Sequence, residues 1–297
     1  MEEMLMERKT VYVKNTGEVL SDTVKNIIPK TPEQVKKEND AVRRKDESNE
    51  FKMLIDEGFN GFYFYFYEKM KTINMINSMK TRFLYLCSFV SYNTDGSLLV
   101  DTDKETSARV PLSKDDIREK LKLGDREFYK TLKELSKNSL IEVNGNGNYC
   151  INTDMIFRGK LSISQKKKNY TRMFMEGIKK LYRECSPKQH KQLYYLFMIL
   201  PNINLRFNCV CTYDTVDKEI ESEIETLNMK EMCELIGYNP ANSAKITNEL
   251  FELRIDEKEV MLEVRRHKKK FIKINPLIYY KGTDIKDLQG LISDFRL

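Results

Sequence analysis

The chain has 297 residues, 40% of them hydrophobic, with 51 Lys and Arg against 45 Asp and Glu, a formal charge of +6 and a pI near 8.8. That length suits two domains of ordinary size, each with enough apolar residues for a core. The charge excess is mild, so a polyanionic partner would be recognised by where the cations sit and not by their total. No apolar run reaches membrane-spanning length, and the acidic, polar N-terminus does not read as a signal peptide. The six cysteines (Cys87, Cys150, Cys185, Cys209, Cys211, Cys233) form no CxxC pair and no disulfide-like spacing. They read as reduced, mostly buried thiols of a cytoplasmic protein. Cys209 and Cys211 form a CxC, but His190 and His267 are too few and too distant for zinc, and no cofactor or metal is expected.

Residues 1–60 read as an N-terminal charged arm. Thr10 to Val13 and Glu18 to Leu20 are short β-like runs around KNTG, a hairpin composition. Thr31-Pro32-Glu33-Gln34 is a helix start, with a cap, a proline in the first turn and Gln three residues on. Lys36 to Glu50 has no apolar face and reads as a solvated helix or as disorder.

Residues 61–160 form the first predicted domain. FYFYFYEKM and RFLYLCSFV are apolar segments, and Asn93 to Gly96 turns into SLLVD. Ser113, with Asp116 three residues on, caps a helix that buries Ile117 and Leu121. Lys122 to Asp125 is the turn. The next helix runs from about Arg126 to Asn138, with Phe128, Leu132 and Leu135 on one face. LIEV, NGNGN and YCIN then make a β-hairpin. A basic connector, 161–170, leads to the second domain, 171–297. There FMEGIKKLY is an amphipathic helix, and Ser186 with Pro187 opens SPKQHKQLYYLFMIL as another. Its LYYL at 193–196 lies 110 residues after FLYL at 83–86. Asn228 with Glu231 caps the next helix, Gly237 to Pro240 turns, and Ala241 to Leu253 is a further helix. A second hairpin follows: Glu259 to Val264, a tip over Arg265 to Lys270, then Phe271 to Ile274. The two copies close alike, as YCINTDMIFRG and FIKINPLIYYKG.

Two helices followed by a hairpin is how a winged helix-turn-helix reads in sequence, and two of them in one basic chain point to double-stranded DNA. The fold class expected is α+β, mainly α, with two tandem winged helix-turn-helix domains behind the charged arm. On the first recognition-type helix, Arg126, Lys130, Lys133 and Lys137 fall opposite the apolar face, where phosphate and guanine contacts would be made. Glu127 and Glu134 flank them, and the competing reading is a solvated amphipathic helix. The adjoining Asn-Gly hairpin offers Asn144 and Asn146. The second helix is less basic. Ile246, Thr247 and Leu250 point inward, while Ala241, Lys245 and Asn248 face out with Asn242 and Glu252 nearby, and an Asn suits adenine. Its hairpin tip, Arg265, Arg266, His267, Lys268, Lys269 and Lys270, suits phosphate or minor-groove contact. The two copies therefore distribute charge oppositely, which implies divergent roles, with one copy serving dimerisation more than reading and the sequence not saying which.

Phe62 to Tyr67 is a run of six aromatics, which suits core and interface packing better than a base-stacking platform. Asn152 and Asn275, each after Ile at the end of its hairpin, suit turns. An enzyme is not expected. There is no GxxxxGK[ST] phosphate loop, the two histidines form no His-x-His motif, and Asp214 and Asp217 lack a partner motif.

The run LSKDDIREKLKLGDREFYKTLKELSKNSLIEVNGNGNYCINTDMIFRG resembles the winged-helix part of the Firmicute plasmid replication protein (RepL) family and related phage proteins, with FIKINPLIYYKG carrying the second, looser match. The resemblance implies origin recognition in plasmid replication by DNA binding without nicking. This chain departs from it in being duplicated and in its long charged arm. The readings open at this point are a replication initiator, a transcriptional repressor or regulator of a plasmid or phage, a plasmid-partition adaptor, and a structural or protein-interaction role. The partners expected are double-stranded DNA, a second copy in a homodimer or higher oligomer, and host replication machinery or RNA polymerase, with no membrane.

Overall fold

The computed structural model describes residues 31–43, 61–92, 97–102, 108–266, 269–280, 282 and 284–295. The hairpin expected at 10–20, the segment 44–50 and the turn at 93–96 lie outside them. The chain divides into two compact units, Met1–Glu47 and Ser48–Leu297. In the first, helix α1 covers 32–43, and all its residues but Asp40 are exposed. It opens as the sequence requires: the Gln34 side chain accepts from the Thr31 amide at 2.9 Å, and the Thr31 hydroxyl accepts from the Gln34 amide at 3.2 Å. That reciprocal cap satisfies two helix-end donors.

The second unit is α+β, with helices packed around small antiparallel sheets. Its first strand, β1 (Phe62–Tyr65), continues into α2 (Tyr67–Thr72) and α3 (Asn77–Cys87). A hairpin, β2 (Val100–Thr102) and β3 (Arg109–Pro111), leads to α4 (Lys114–Leu121), α5 (Asp125–Lys137) and a second hairpin, β4 (Ile141–Val143) with β5 (Tyr149–Ile151). Then come β6 (Ile156–Phe157) and a short connector helix, α6 (Ile163–Lys166). The order restarts with β7 (Thr171–Phe174), α7 (Met175–Glu184), α8 (His190–Ile199), α9 (Met229–Leu235) and α10 (Ser243–Phe251). Two short strands, β8 (Arg254–Ile255) and β9 (Lys258–Glu259), precede the hairpin of β10 (Met261–Arg266) and β11 (Lys269–Ile274). The last helix is α11 (Ile285–Asp294).

Several backbone hydrogen bonds of the first half have counterparts in the second. The Leu99 amide donates to Tyr149 and the Ile151 amide to Ser97; in the second half the Val210 amide donates to Ile272 and the Ile274 amide to Asn208. The bridge of Leu98 to Cys150 has its counterpart in Cys209 with Lys273. The two asparagines behave as turn residues and do so identically. The Asn152 side chain donates to the Ser139 carbonyl and accepts from the Asp154 amide; Asn275 donates to Glu259 and accepts from Leu277. A side-chain oxygen accepting two residues ahead is an Asx turn, and it ends each hairpin at the same place.

The halves meet along equivalent elements. β1 is the middle strand of a sheet ordered β6-β1-β7 and pairs antiparallel with β7, from Phe62 opposite Phe174 to Tyr65 opposite Thr171. Helix α3 packs along α8, and the Thr81 hydroxyl donates to the His190 carbonyl. One hydrophobic cluster runs from Tyr63 through Phe83, Phe128, Leu193, Leu196 and Ile246 to Tyr279. The aromatic run belongs to this core: Tyr63, Tyr65, Phe66 and Tyr67 are buried, and the Tyr63 hydroxyl donates to the Leu84 carbonyl at 2.8 Å. Phe64 meets Tyr170 edge to face at 5.2 Å. Rings engaged this way do not form an open row for stacking bases. Within the second half, Gly177 lets α7 lie close to the turn after β11: a Cβ there would fall 2.1 Å from the Leu277 carbonyl oxygen.

Two helix starts differ from the sequence reading. α8 begins at His190, because residues 187–189 form a separate hydrogen-bonded turn in which the Gln189 amide donates to the Ser186 carbonyl. α10 begins at Ser243, because Pro240 to Asn242 winds as a tighter 3-10 turn capped by Asn239.

Candidate nucleic-acid interface

Helix α5 owes its place to both ends of the residue scale. Ser113 and Asp116 form a full capping box on α4, and Lys122 takes the left-handed conformation (φ 50°) that ends it, so the chain turns within 122–124. α5 then buries Phe128 and Leu135, each at 1% exposure or less, with Leu132 half-buried. Full burial of each such side chain contributes about 2–3 kcal/mol. Thr131 is also fully buried, and here the sequence reading missed a partner. Arg82, on α3 and 3% exposed, donates through one guanidinium nitrogen to Thr131 Oγ1 at 2.8 Å and to Glu127 Oε1 at 2.6 Å. Those hydrogen bonds hold the Glu127 carboxyl below the usual carboxylate range. A cation inside the apolar run TRFLYLC was the signal that it had a partner elsewhere.

With Glu127 hydrogen-bonded to Arg82, the cations on the outer face of α5 are mostly left without direct partners. Arg126, Lys130, Lys133 and Lys137 are all exposed. Arg126, Lys130 and Lys133 make no hydrogen bond or ion pair among the described residues, and Lys137 reaches Glu134 only at 3.9 Å. Tyr129 stands exposed beside them, with Lys114 Nζ 4.5 Å from its ring centroid. The adjoining hairpin is built from its own side chain: Asn144 Oδ1 accepts from the amides of Asn146 and Asn148, both at 3.0 Å, and Gly147 turns at φ 80°. The carbonyl of Asn144 is therefore committed to the loop, leaving Asn146 at the tip as the freer group.

In the second half, Ile246 and Leu250 are buried as expected, and Asn242, Lys245 and Asn248 are exposed. The hairpin departs from expectation. The strands run through Arg266 and resume at Lys269, so Arg265 sits opposite Lys270 and Arg266 opposite Lys269. His267 and Lys268 lie outside the described residues. The basic run is thus mostly regular strand, with its cations alternating between the two faces. Like charges placed opposite one another would repel, and acids from three places offset them. Glu263 pairs with Arg265 at 3.1 Å and Lys270 at 3.4 Å, which holds its carboxyl below the usual range. Arg266 lies 3.6 Å from Glu221 and 3.4 Å from Asp294 on α11, while Lys269 donates to the Ser222 carbonyl. Asp294 also pairs with the buried Lys273.

Among the described residues no group of His, Cys, Asp and Glu is arranged to hold a metal ion, all six cysteines are free thiols, and no helix is long and apolar enough to cross a membrane. No family model, curated protein or solved structure matches this chain.

Proposed function

We propose that this chain is a sequence-specific double-stranded DNA-binding protein made of two winged-helix modules. Its role, as the RepL-like run implies, is to recognise replication-origin DNA of a plasmid or phage without cutting it. The observation that carries the reading is the exposed cationic face of α5, on which Arg126, Lys130 and Lys133 make no ion pair among the described residues, set beside a hairpin on a helix whose other face is locked into the core. A helix presented in that way suits the major groove. The antiparallel pairing of β1 with β7, and the packing of α3 on α8, bring equivalent elements together as an approximate two-fold axis would. Two such modules suit a bipartite site whose halves differ, because their outward residues differ: Lys and Arg in one, Lys245 and Asn248 in the other.

Selection of bound duplexes from a random pool, followed by footprinting on the enriched sequence, tests the reading. A preferred bipartite site is expected, with log K falling linearly as log salt rises. Recovery of no preferred sequence in dilute buffer would end it. Replication of a marker plasmid carrying the selected site then separates an initiator from a regulator.

A further inference from the structure

Three lysines are buried in the described part of the second unit, and they are treated differently. Lys80 donates to the Met70 carbonyl at 3.1 Å, and Lys273 pairs with Asp294. Lys179, at 8% exposure, makes no hydrogen bond and no ion pair among the described residues; its ammonium has only the Phe89 ring, 4.3 Å away. A buried ammonium without an oxygen partner is rare, because the lost hydration is not replaced. Burial is accordingly the main cause that lowers its pKa, to about 8.

The surroundings of Lys179 suggest what is missing. It lines a recess of about 40 Å³ together with Ser88, Asp101, Arg109 and Arg158. Asp101 makes its ion pair with Lys120 and acts on Lys179 only from a distance; the Lys120 ammonium also lies 4.7 Å from the centroid of the same Phe89 ring. Glu176 and Asp101 favour its charged form, and Arg183 and Lys120 oppose it. Arg109 is exposed at the rim and makes no ion pair among the described residues, and the Arg158 guanidinium is braced by the Val90 carbonyl at 2.9 Å. A volume of that size holds about three waters, or the oxygens of one small tetrahedral anion.

We propose that this recess binds a phosphate group, with Lys179 as the buried cation and Arg109 and Arg158 as the outer ones. Lys179 comes from α7 and its partners from the first half, so an occupied site ties the two repeats together. The phosphate is either a free ion or part of a nucleic-acid backbone, and the two sources are separable by experiment. The full chain is titrated with inorganic phosphate against chloride of equal ionic strength while thermal unfolding is followed, for the wild type and for Lys179→Met. Methionine fills the same volume without a charge, so the variant is expected to fold. A phosphate-dependent rise in Tm is expected in the wild type, with at least a tenfold weaker dependence in Lys179→Met; general stabilisation by an excluded salt would be equal in both. Arg109→Ala should weaken the dependence to a lesser degree. Equal shifts in wild type and Lys179→Met, or no shift in the wild type at tens of millimolar phosphate, would overturn the proposal. Duplex binding then assigns the source among supporting results. Lys179→Met weakens it if the recess holds a backbone phosphate, and leaves it unchanged if the ligand is free phosphate.

Discussion

In the first half, the cations stand on α5, where Glu127 is hydrogen-bonded to Arg82 and Glu134 reaches only Lys137, at 3.9 Å. In the second half they stand on the β10–β11 hairpin, where Glu263, Glu221 and Asp294 surround them. By sequence the second hairpin is the more basic of the two regions; in the folded molecule α5 is. Charge available to a partner is what remains after the fold has made its own ion pairs. Surface pairs are individually weak, but each must be given up before its cation can take a phosphate.

The largest test of that contrast is the double variant Lys130→Ala/Lys133→Ala. Loss of about tenfold in duplex affinity per lysine, ~1.4 kcal/mol each, is expected at low salt, with the log–log salt slope lowered by about two. A matching double variant, Lys269→Ala/Lys270→Ala, should lose less. Equal losses in a filter-binding or anisotropy titration would mean that the acids around the hairpin do not restrain its cations.

The second comparison concerns stability. Asn275 is fully buried, whereas Asn152 is partly exposed, although both make the same pair of hydrogen bonds. Asn275→Ala should cost about 2–3 kcal/mol by urea denaturation and Asn152→Ala about 1 kcal/mol, because water can replace the lost partner only at the exposed site. Similar costs would show that the two turns are equally accessible in the native state.

A third contrast lies at the helix seam, where His190 occupies the place that Lys80 holds 110 residues earlier. Burial, then the nearby Arg82 guanidinium, pushes the His190 pKa down to about 4. The unfolded chain takes up the proton near pH 6.5 while the folded one does not. Stability from the neutral imidazole is therefore present above about pH 6.5 and declines as the pH falls toward 4. His190→Gln should flatten that decline between pH 7 and pH 5 in chemical denaturation. A decline of the same slope would shift the responsibility to other groups.

The smallest effect expected is a gain. Glu263→Gln frees Arg265 and Lys270 and should tighten duplex binding by about two- to fivefold at low salt, the scale of an exposed ion pair. No change, with folding intact, would place that face of the hairpin away from the DNA.

The local rules of this chain are readable without a structure. The caps at Thr31, Ser113 and Asn228, the apolar face of α5 and the two Ile-Asn turns depend on residues three or four apart, so the sequence carries their causes directly. The repeated order of elements and the outward aspect of Arg126, Lys130, Lys133, Asn242, Lys245 and Asn248 follow from the same periodicities. What required the tertiary structure is which charges meet. Arg82 with Glu127 and Arg266 with Glu221 and Asp294 join residues tens of positions apart, while Lys179 makes no ion pair among the described residues. Electrostatic pairing depends on distance in space and on burial, neither of which a linear pattern specifies. The seam between β1 and β7 was hidden for the same reason. Phe62–Tyr65 reads as an apolar run, but Thr171–Phe174 carries Arg172 and gives no strand signal of its own, and only packing decided that the two would pair.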